Sequence, residues 1–393
     1  MTLSAITIHR FLLRAALAAG NVFAWVLVFH ALYFSGETLT GALIATVLAY
    51  AAAQLIAFFL TPLSGMNLAN GTQRSILYAT FALSVSFVWL AAASTGVFGA
   101  GAENIWVGIV GFACLQGVYR AFYWIPYRAS QGARHQQQTN YLFEVFLTLM
   151  PLSASIIIVG AVGGAWMLLV GCATLAFASS IALIGIRESY EPYLWNYEDT
   201  MRALVSEDSR DMLTKSMLQG LQGAALLFAW PIAVFILFDW SYMLLGAVMS
   251  LTLILTLVGK RLLRGTLSIM GLQYSAPIHS TLAASSWVMR LLIFSPVSVV
   301  LADVVYHMGE PTRHIGLDQS AYEQAADSAH YIDHTTALKE MGYALGRLLL
   351  CGALILLALY ASAIVALAGA IALSAVASLV SIFRHSPAKA LAI

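Results

Sequence analysis

Apolar blocks of about twenty residues recur along the whole chain, and one long polar interval, 187–219, interrupts them. Each block has the length that an α-helix needs to cross a hydrocarbon core roughly 30 Å thick. Of the 393 residues, 61% are hydrophobic and 9% are charged, and mean hydropathy is +0.84. A soluble domain needs roughly a quarter charged residues to cover its surface. The outer surface here must therefore face lipid, and the expected fold class is an all-α integral membrane protein. A net charge of +1 gives no footing for a nucleic-acid or acidic partner. Cys114, Cys172 and Cys351 fall inside apolar blocks, so neither a disulfide framework nor a zinc site is expected.

The chain opens with His9, Arg10 and Arg14 before an apolar run, a pattern shared with signal peptides. The run continues to Phe34, beyond the roughly 7–15 residues of a cleavable core, so it is read as the first membrane helix. Twelve spans follow: 12–34, 39–60, 75–97, 104–127, 140–162 and 165–186, then 218–238, 241–259, 277–295, 297–317, 336–357 and 361–383. Orientation follows from Lys and Arg, which concentrate on the cytosolic side. Arg10, Arg74, Arg128, Arg134, Lys260, Arg261, Arg264, Arg384 and Lys389 all fall on one side with the polar interval. The alternate loops (35–38, 98–103, 163–164, 239–240, 296 and 358–360) hold no Lys or Arg. Both termini are thereby expected in the cytosol of a bacterial inner membrane. The domains expected are a bundle over 1–186, a cytosolic connector over 187–217 and a second bundle over 218–393. In the connector, Met201, Leu204, Val205, Met212 and Leu213 among charges predict an amphipathic helix over 200–215.

The halves carry short ordered repeats. Phe23-Ala24-Trp25 returns as Phe228-Ala229-Trp230, Gly41-Ala42 as Gly246-Ala247, and Leu142-Phe143-Glu144 as Leu338-Lys339-Glu340. Two like-oriented halves of six spans are the parallel-repeat plan of many secondary transporters. In size, topology and halves the chain resembles the major facilitator superfamily over essentially its whole length. The loop from Gly65 to Arg74 keeps the first Gly and last Arg of that family's Gly-x-x-x-Asp-Arg-x-Gly-Arg-Arg. Ala113, Gln116 and Gly117 stand where span 4 reads Arg-x-x-Gln-Gly, with its arginine replaced, and Gly163-Gly164 is what remains of the span-5 antiporter pattern. The tracts Tyr123–Tyr127 and Trp230-Pro231-Ile232 are similar to a bacterial branch with degenerate signatures. The resemblance implies twelve helices in two pseudo-symmetric six-helix bundles and alternating access; it does not carry over proton antiport.

Ionisable groups at membrane depth are candidates for function. Asp303, His307, Glu310 and His314, followed by Asp318, are spaced four, three, four and four residues apart, on one face of a helix. Pro311 beside Gly309 predicts a kink there. Such a face suits a proton relay through His307 or a divalent-metal site, to which His330 and His334 with Asp327 and Asp333 would add ligands. The alternative is a membrane boundary near His307, with the rest solvated. Arg290 is a partner for Asp303 or an anchor for an anionic substrate. Near the cytosolic ends, Arg120 with Glu144, and Arg313 with Glu340 and the deeper Arg347, are expected as structural ion pairs or as a cytosolic gate. His30 and Gln54 are lone polar groups, read as interhelical hydrogen bonds before ligand contacts. Trp25, Trp124, Trp230, Tyr119, Tyr123 and Tyr127 line a cavity or anchor the interface.

No phosphate loop, HExxH or Gly-x-Ser-x-Gly is present, so neither an enzyme nor a cofactor is expected. The expected function is secondary transport of a small solute, ion-coupled, by a monomer in a lipid bilayer. Divalent-metal export through the acid and histidine stripe, and a non-transporting membrane scaffold, are the alternatives.

Overall fold

A computed structural model describes residues 5–98, 102–131, 141–160, 164–184, 188, 190, 193–269, 276–309 and 334–384. The regular structure among them is helical throughout, because in lipid a backbone N–H or C=O finds a partner only within its own helix. The first half comprises α1 (Ala5–Phe34), α2 (Leu39–Met66), α3 (Thr72–Ser94), α4 (Ala102–Gln131), α5 (Tyr141–Thr148), α6 (Met150–Gly160) and α7 (Ala165–Ile181). After α8 (Tyr197–Val205) come α9 (Arg210–Ala224), α10 (Trp230–Leu237), α11 (Tyr242–Ile269), α12 (Ala276–Leu291), α13 (Pro296–Gly309), α14 (His334–Tyr360) and α15 (Ala363–Arg384).

Nine helices among the described residues are long and apolar enough to cross a membrane, and Ala165–Ile181 and Pro296–Gly309 are shorter apolar helices. A belt of apolar side chains faces outward, including Phe59 at 52% exposure and Val365 at 49%. In water so large an exposed apolar surface would be an aggregation site; against lipid it is the ordinary outer face.

Two expected spans are interrupted, both at proline. Pro151 has no N–H and its ring crowds the carbonyl of residue 147, so α5 and α6 part at Leu149. Pro231 likewise leaves the carbonyl of residue 227 without its usual donor, and the chain answers with a π-helical turn at Ala225–Ala229 between α9 and α10. The expected span 297–317 appears as α13, 14 residues long, or about 21 Å. Its continuation through Glu310, Arg313, His314 and Asp318 lies outside the described residues, as do Asp327, His330 and Asp333.

The connector departs from the single amphipathic helix expected over 200–215. Asn196 and Asp199 form a capping box that starts α8 at Tyr197. Ser206 then turns to extended backbone (φ −68°, ψ 149°) and ends it, while the Ser206 and Ser209 hydroxyls bond each other at 3.1 Å. α9 begins at Arg210 and runs unbroken toward the membrane. Met201 and Leu204 of α8 pack on Phe58 of α2 and on Met341 and Ala344 of α14, so α8 lies across the ends of both. Glu188 accepts from the backbone N–H groups of Gln73 (3.0 Å) and Arg74 (3.3 Å) at the start of α3. Carboxylates are favoured at that position by the orphan amides and the helix dipole. Gly71, at φ +117°, leaves the space that the carboxylate occupies.

Helices of the first half pack on one another through α3 with α4, α2 with α4, and α1 and α3 with α7. In the second half α12 meets α13 and α15, and α14 meets α9 and α15. The halves meet along α2 with α14, α6 with α11, and α1 with α10. At Gly246 of α11 a side chain would collide with Ser155 and the Pro151 carbonyl of α6. Close backbone approach at a small residue is how helices associate where lipid offers no hydrophobic drive.

Candidate substrate cavity

Midway along α1, α2 and α4, a cavity of about 20 Å³ is lined by Asn21, Val22, Trp25, Tyr50, Ala53, Gln54, Gln116 and Arg120, and from the second half by Leu227. That volume holds about one water. Leu227 sits in the π-helical turn, so the backbone irregularity imposed by Pro231 borders the cavity. Gln116 donates to Ser86 Oγ at 3.1 Å. Arg347 of α14 donates to Gln54 Oε1 at 3.4 Å, a long bond that crosses between the halves.

Aromatic contacts lie on one side of the cavity and a charged contact between the halves on the other. On one side Trp25 meets Tyr50 edge-on at 5.1 Å between ring centroids and Phe228 at 5.8 Å, while Tyr50 and Phe228 stack at 4.3 Å. Farther along, Trp240 stacks on Phe29 at 5.6 Å and on Tyr33 at 4.6 Å, and Tyr242 bonds Nδ1 of His30 at 2.7 Å. Trp240 and Asp239 both hold positive φ, 65° and 49°. That conformation costs non-glycine residues about 1 kcal/mol or more, offset here by the stacking. On the connector side, Arg128 of α4 and Glu340 of α14 bridge the halves at 3.1 Å. Leu68, Ile125, Ala129 and Ala337 cluster there with Tyr193. Burial holds the Tyr193 phenol above its ordinary range, against the pull of its bond to Thr200.

The sequence-selected charges fall into separate places. Arg290 and Asp303 pair, with Nη2 to Oδ1 at 2.8 Å and Nε to Oδ1 at 3.0 Å, both side chains at 0% exposure. Trp230 Nε1 donates to the other carboxylate oxygen at 3.1 Å, and the guanidinium lies 4.4 Å from the Trp287 ring centre and 4.7 Å from Tyr306. This knot ties α10, α12 and α13 together. His307 is buried beside it, and its Nε2 has no hydrogen-bond partner among the described residues. Neither Asp303 nor His307 belongs to the lining of the cavity. Among the described residues no three His, Cys, Asp or Glu side chains gather as a metal site would require.

Glu144 accepts both terminal nitrogens of Arg14, at 2.7 and 3.3 Å, a partner far from it in the sequence. Glu340 takes Arg128 from the other half; its expected partner Arg313 lies outside the described residues. Arg120, the expected partner of Glu144, is part of the cavity lining. His9 donates from Nδ1 to the Ser179 carbonyl at 2.9 Å and bonds Tyr123 through Nε2 at 3.3 Å, which fixes α1 against α7 and α4.

Asn21, Tyr50 and Gln116 join the lining without being among the candidates that the sequence singles out. A signal existed: Asn21, Gln54 and Gln116 are polar residues near the midpoints of three long apolar runs, at one depth.

No family model and no curated protein sequence matches the chain. Solved structures do. An auto inhibited POT family peptide transporter matches with a TM-score of 0.67 at 11% identity, covering 97% of this chain and 96% of that one. The fold is that of the major facilitator superfamily. A POT family transporter in complex with 5-aminolevulinic acid matches at TM-score 0.63 and 12% identity, covering 98% and 95%. The nucleoside transporter NupG does so at 0.57 and 12%, covering 98% and 100%.

Proposed function

We propose that this chain is a secondary active transporter that moves a small solute across the cytoplasmic membrane by alternating access. The observation that supports the reading is a small polar cavity among the helices, flanked on one side by aromatic contacts and on the other by the Arg128–Glu340 bridge, with contacts between the halves on both sides. In this reading bundles 1–186 and 218–393 rock about Gln54, Gln116 and Arg120. The connector 187–217 and both termini lie in the cytosol, twelve helices cross, and a monomer suffices. Arg128–Glu340 and Arg347–Gln54 form the cytosolic gate; His30–Tyr242 and the Trp240 stack form the outer one. Arg290–Asp303 holds the second bundle rigid as it moves. No bond is made or broken in the solute, so the protein is not an enzyme.

Transport needs solute and coupling ion to favour one facing state by a few kcal/mol over the other. The test uses the purified chain in proteoliposomes, with uptake of peptides, nucleosides, sugars and organic acids followed under imposed pH and sodium gradients. Uptake of at least one solute is expected. A cross-link across the outer gate, His30→Cys with Tyr242→Cys, should stop uptake, and reduction should restore it. Absence of flux for every solute under every gradient would remove the reading in favour of a scaffold.

A further inference from the structure

Resting on the transport reading, we propose that the connector is a clamp on the cytosolic face: α8 holds α2 and α14 together, and the face opens when α8 lets go of α14. The segment before α8 is seated on the first half. Glu188 caps the start of α3, and the Tyr193 ring lies against the backbone of α2 at Gly65, where a Cβ would stand 2.8 Å from it. The Tyr193 hydroxyl also bonds Thr200 Oγ1 of α8 at 2.9 Å, and Thr200 is fully buried. The first turn of α8 is thereby fastened to the first half.

The second half meets the connector through one face of α14. Ala337, Met341 and Ala344 stand four and three residues apart, on one side of the helix, and all three are buried. Ala337 joins the cluster around Tyr193. Met341 and Ala344 take Met201 and Leu204 of α8 together with Phe58 of α2. The Arg128–Glu340 bridge lies beside these contacts, on neighbours in sequence of Ala129 and Met341, so clamp and bridge break together. α9 is bound tightly to α14 in its turn. Side chains at Gly342 and Gly346 would run into Ser216 and Met217 of α9, an approach close enough for the two helices to move as one body. Only residues 206–209 separate α9 from α8. When α14 swings away from α2, α9 goes with it and pulls on the last turn of α8, while Tyr193 holds the first turn back. The contact that yields is the one with Met341 and Ala344. It is a small contact: α8 has nine residues, too few to persist as a helix in water without its cap and its packing, and Met201 and Leu204 are only half-buried. Such a clamp sets the balance between closed and open and is remade at each closure.

The test needs no knowledge of the solute. The full chain, with Cys114, Cys172 and Cys351 replaced by serine, carries spin labels at Asn70 in the first half and Leu262 in the second, and is placed in lipid nanodiscs. Pulsed distance measurements give the ratio of long to short separations across the connector face. Leu204→Ser removes one half-buried apolar contact and should raise that ratio about fivefold. Asn196→Ala, which touches neither bundle but dismantles the capping box, should shift it the same way. Val205→Ser is the control, since Val205 is 84% exposed, and should leave the ratio as it was. An unchanged ratio in Leu204→Ser, in a protein that shows both separations, overturns the clamp and leaves transport standing. A shift in Val205→Ser as large as that in Leu204→Ser overturns it too, because the contacts with α14 would then not be what matters. If no long separation appears in the parent or in any variant, the face does not open, and the transport reading falls together with the clamp. Asn196→Ala decides the matter where Leu204→Ser fails to fold.

Discussion

Replacing Asp303 by leucine leaves Arg290 charged at 0% exposure with its carboxylate gone. A guanidinium cannot neutralise itself, and stripping one partner from a buried pair costs about 3–5 kcal/mol. The indole of Trp230 also loses its acceptor, adding about 1 kcal/mol. Arg290→Met should cost a little less, because the abandoned carboxylate can take up a proton. It still forfeits the contacts with the Trp287, Tyr306 and Trp230 rings, about 1–2 kcal/mol together when desolvated. The double variant, Arg290→Met with Asp303→Leu, removes both ions and refills the space with apolar groups of similar volume. Buried pairs so replaced are often close to neutral, so the double should lie within about 2 kcal/mol of the parent and above either single. Equilibrium unfolding in mixed micelles, followed by tryptophan fluorescence, reports this directly, since Trp230 and Trp287 touch the pair. A double variant as unstable as the sum of the singles would refute the reasoning. So would an Asp303→Leu protein within about 1 kcal/mol of the parent. Because the pair stands apart from the cavity, the double should also retain solute flux. A stable but inactive double would return Asp303 to the transport pathway.

Exchanging the Arg14 and Glu144 charges should restore most of the roughly 3–5 kcal/mol that either reversal alone costs, by the same unfolding assay; no recovery would mean the pair contributes nothing. Gly246→Val should drive a side chain into Ser155 and Pro151, weakening closure of α6 on α11 by about 1–3 kcal/mol. Faster thiol labelling at Asn21→Cys would register it. Tyr242→Phe, which removes a 2.7 Å bond to His30, should cost about 0.5–1.5 kcal/mol and shorten the life of the closed outer gate, measured as the exchange rate between facing states. Glu188→Gln should reduce the charge that caps α3 and lower stability by about 0.5–1 kcal/mol, with a smaller loss at high salt.

Helix positions were legible because lipid imposes one rule on every block: length and apolarity decide. The described helices fall on the expected stretches, and the misreadings sit where local chemistry overrides that rule. Pro151 breaks one span, Pro231 forces a π turn, and the Ser206–Ser209 hydroxyls divide the connector helix. Partner choice was less legible. The expected Arg290–Asp303 pair does form, but spacing along α13 cannot say that Trp230 covers Asp303 from a third helix. Glu144 selects Arg14, 130 residues away, because α1 and α5 are neighbours, a fact of tertiary packing. The repeat of Phe23-Ala24-Trp25 as Phe228-Ala229-Trp230 marked both sides of the cavity roof, where Trp25 meets Phe228. It concealed that Trp230 had been diverted to Asp303. Asn21 and Gln116 escaped notice because a lone amide in an apolar run is usually an interhelical bond, and Gln116 does make one, to Ser86.

Opposed opening of the two faces is the claim on which the rest depends. Spin labels at Asn70 and Leu262 report the connector face, and labels at Glu37 and Asp239 the opposite one, all at exposed or turn positions. Pulsed electron–electron distance measurements in lipid nanodiscs should give two populations at each pair. Conditions that lengthen one distance by several ångströms should shorten the other. Two distances that stay single and fixed under every gradient and ligand, or that lengthen together, would contradict the account.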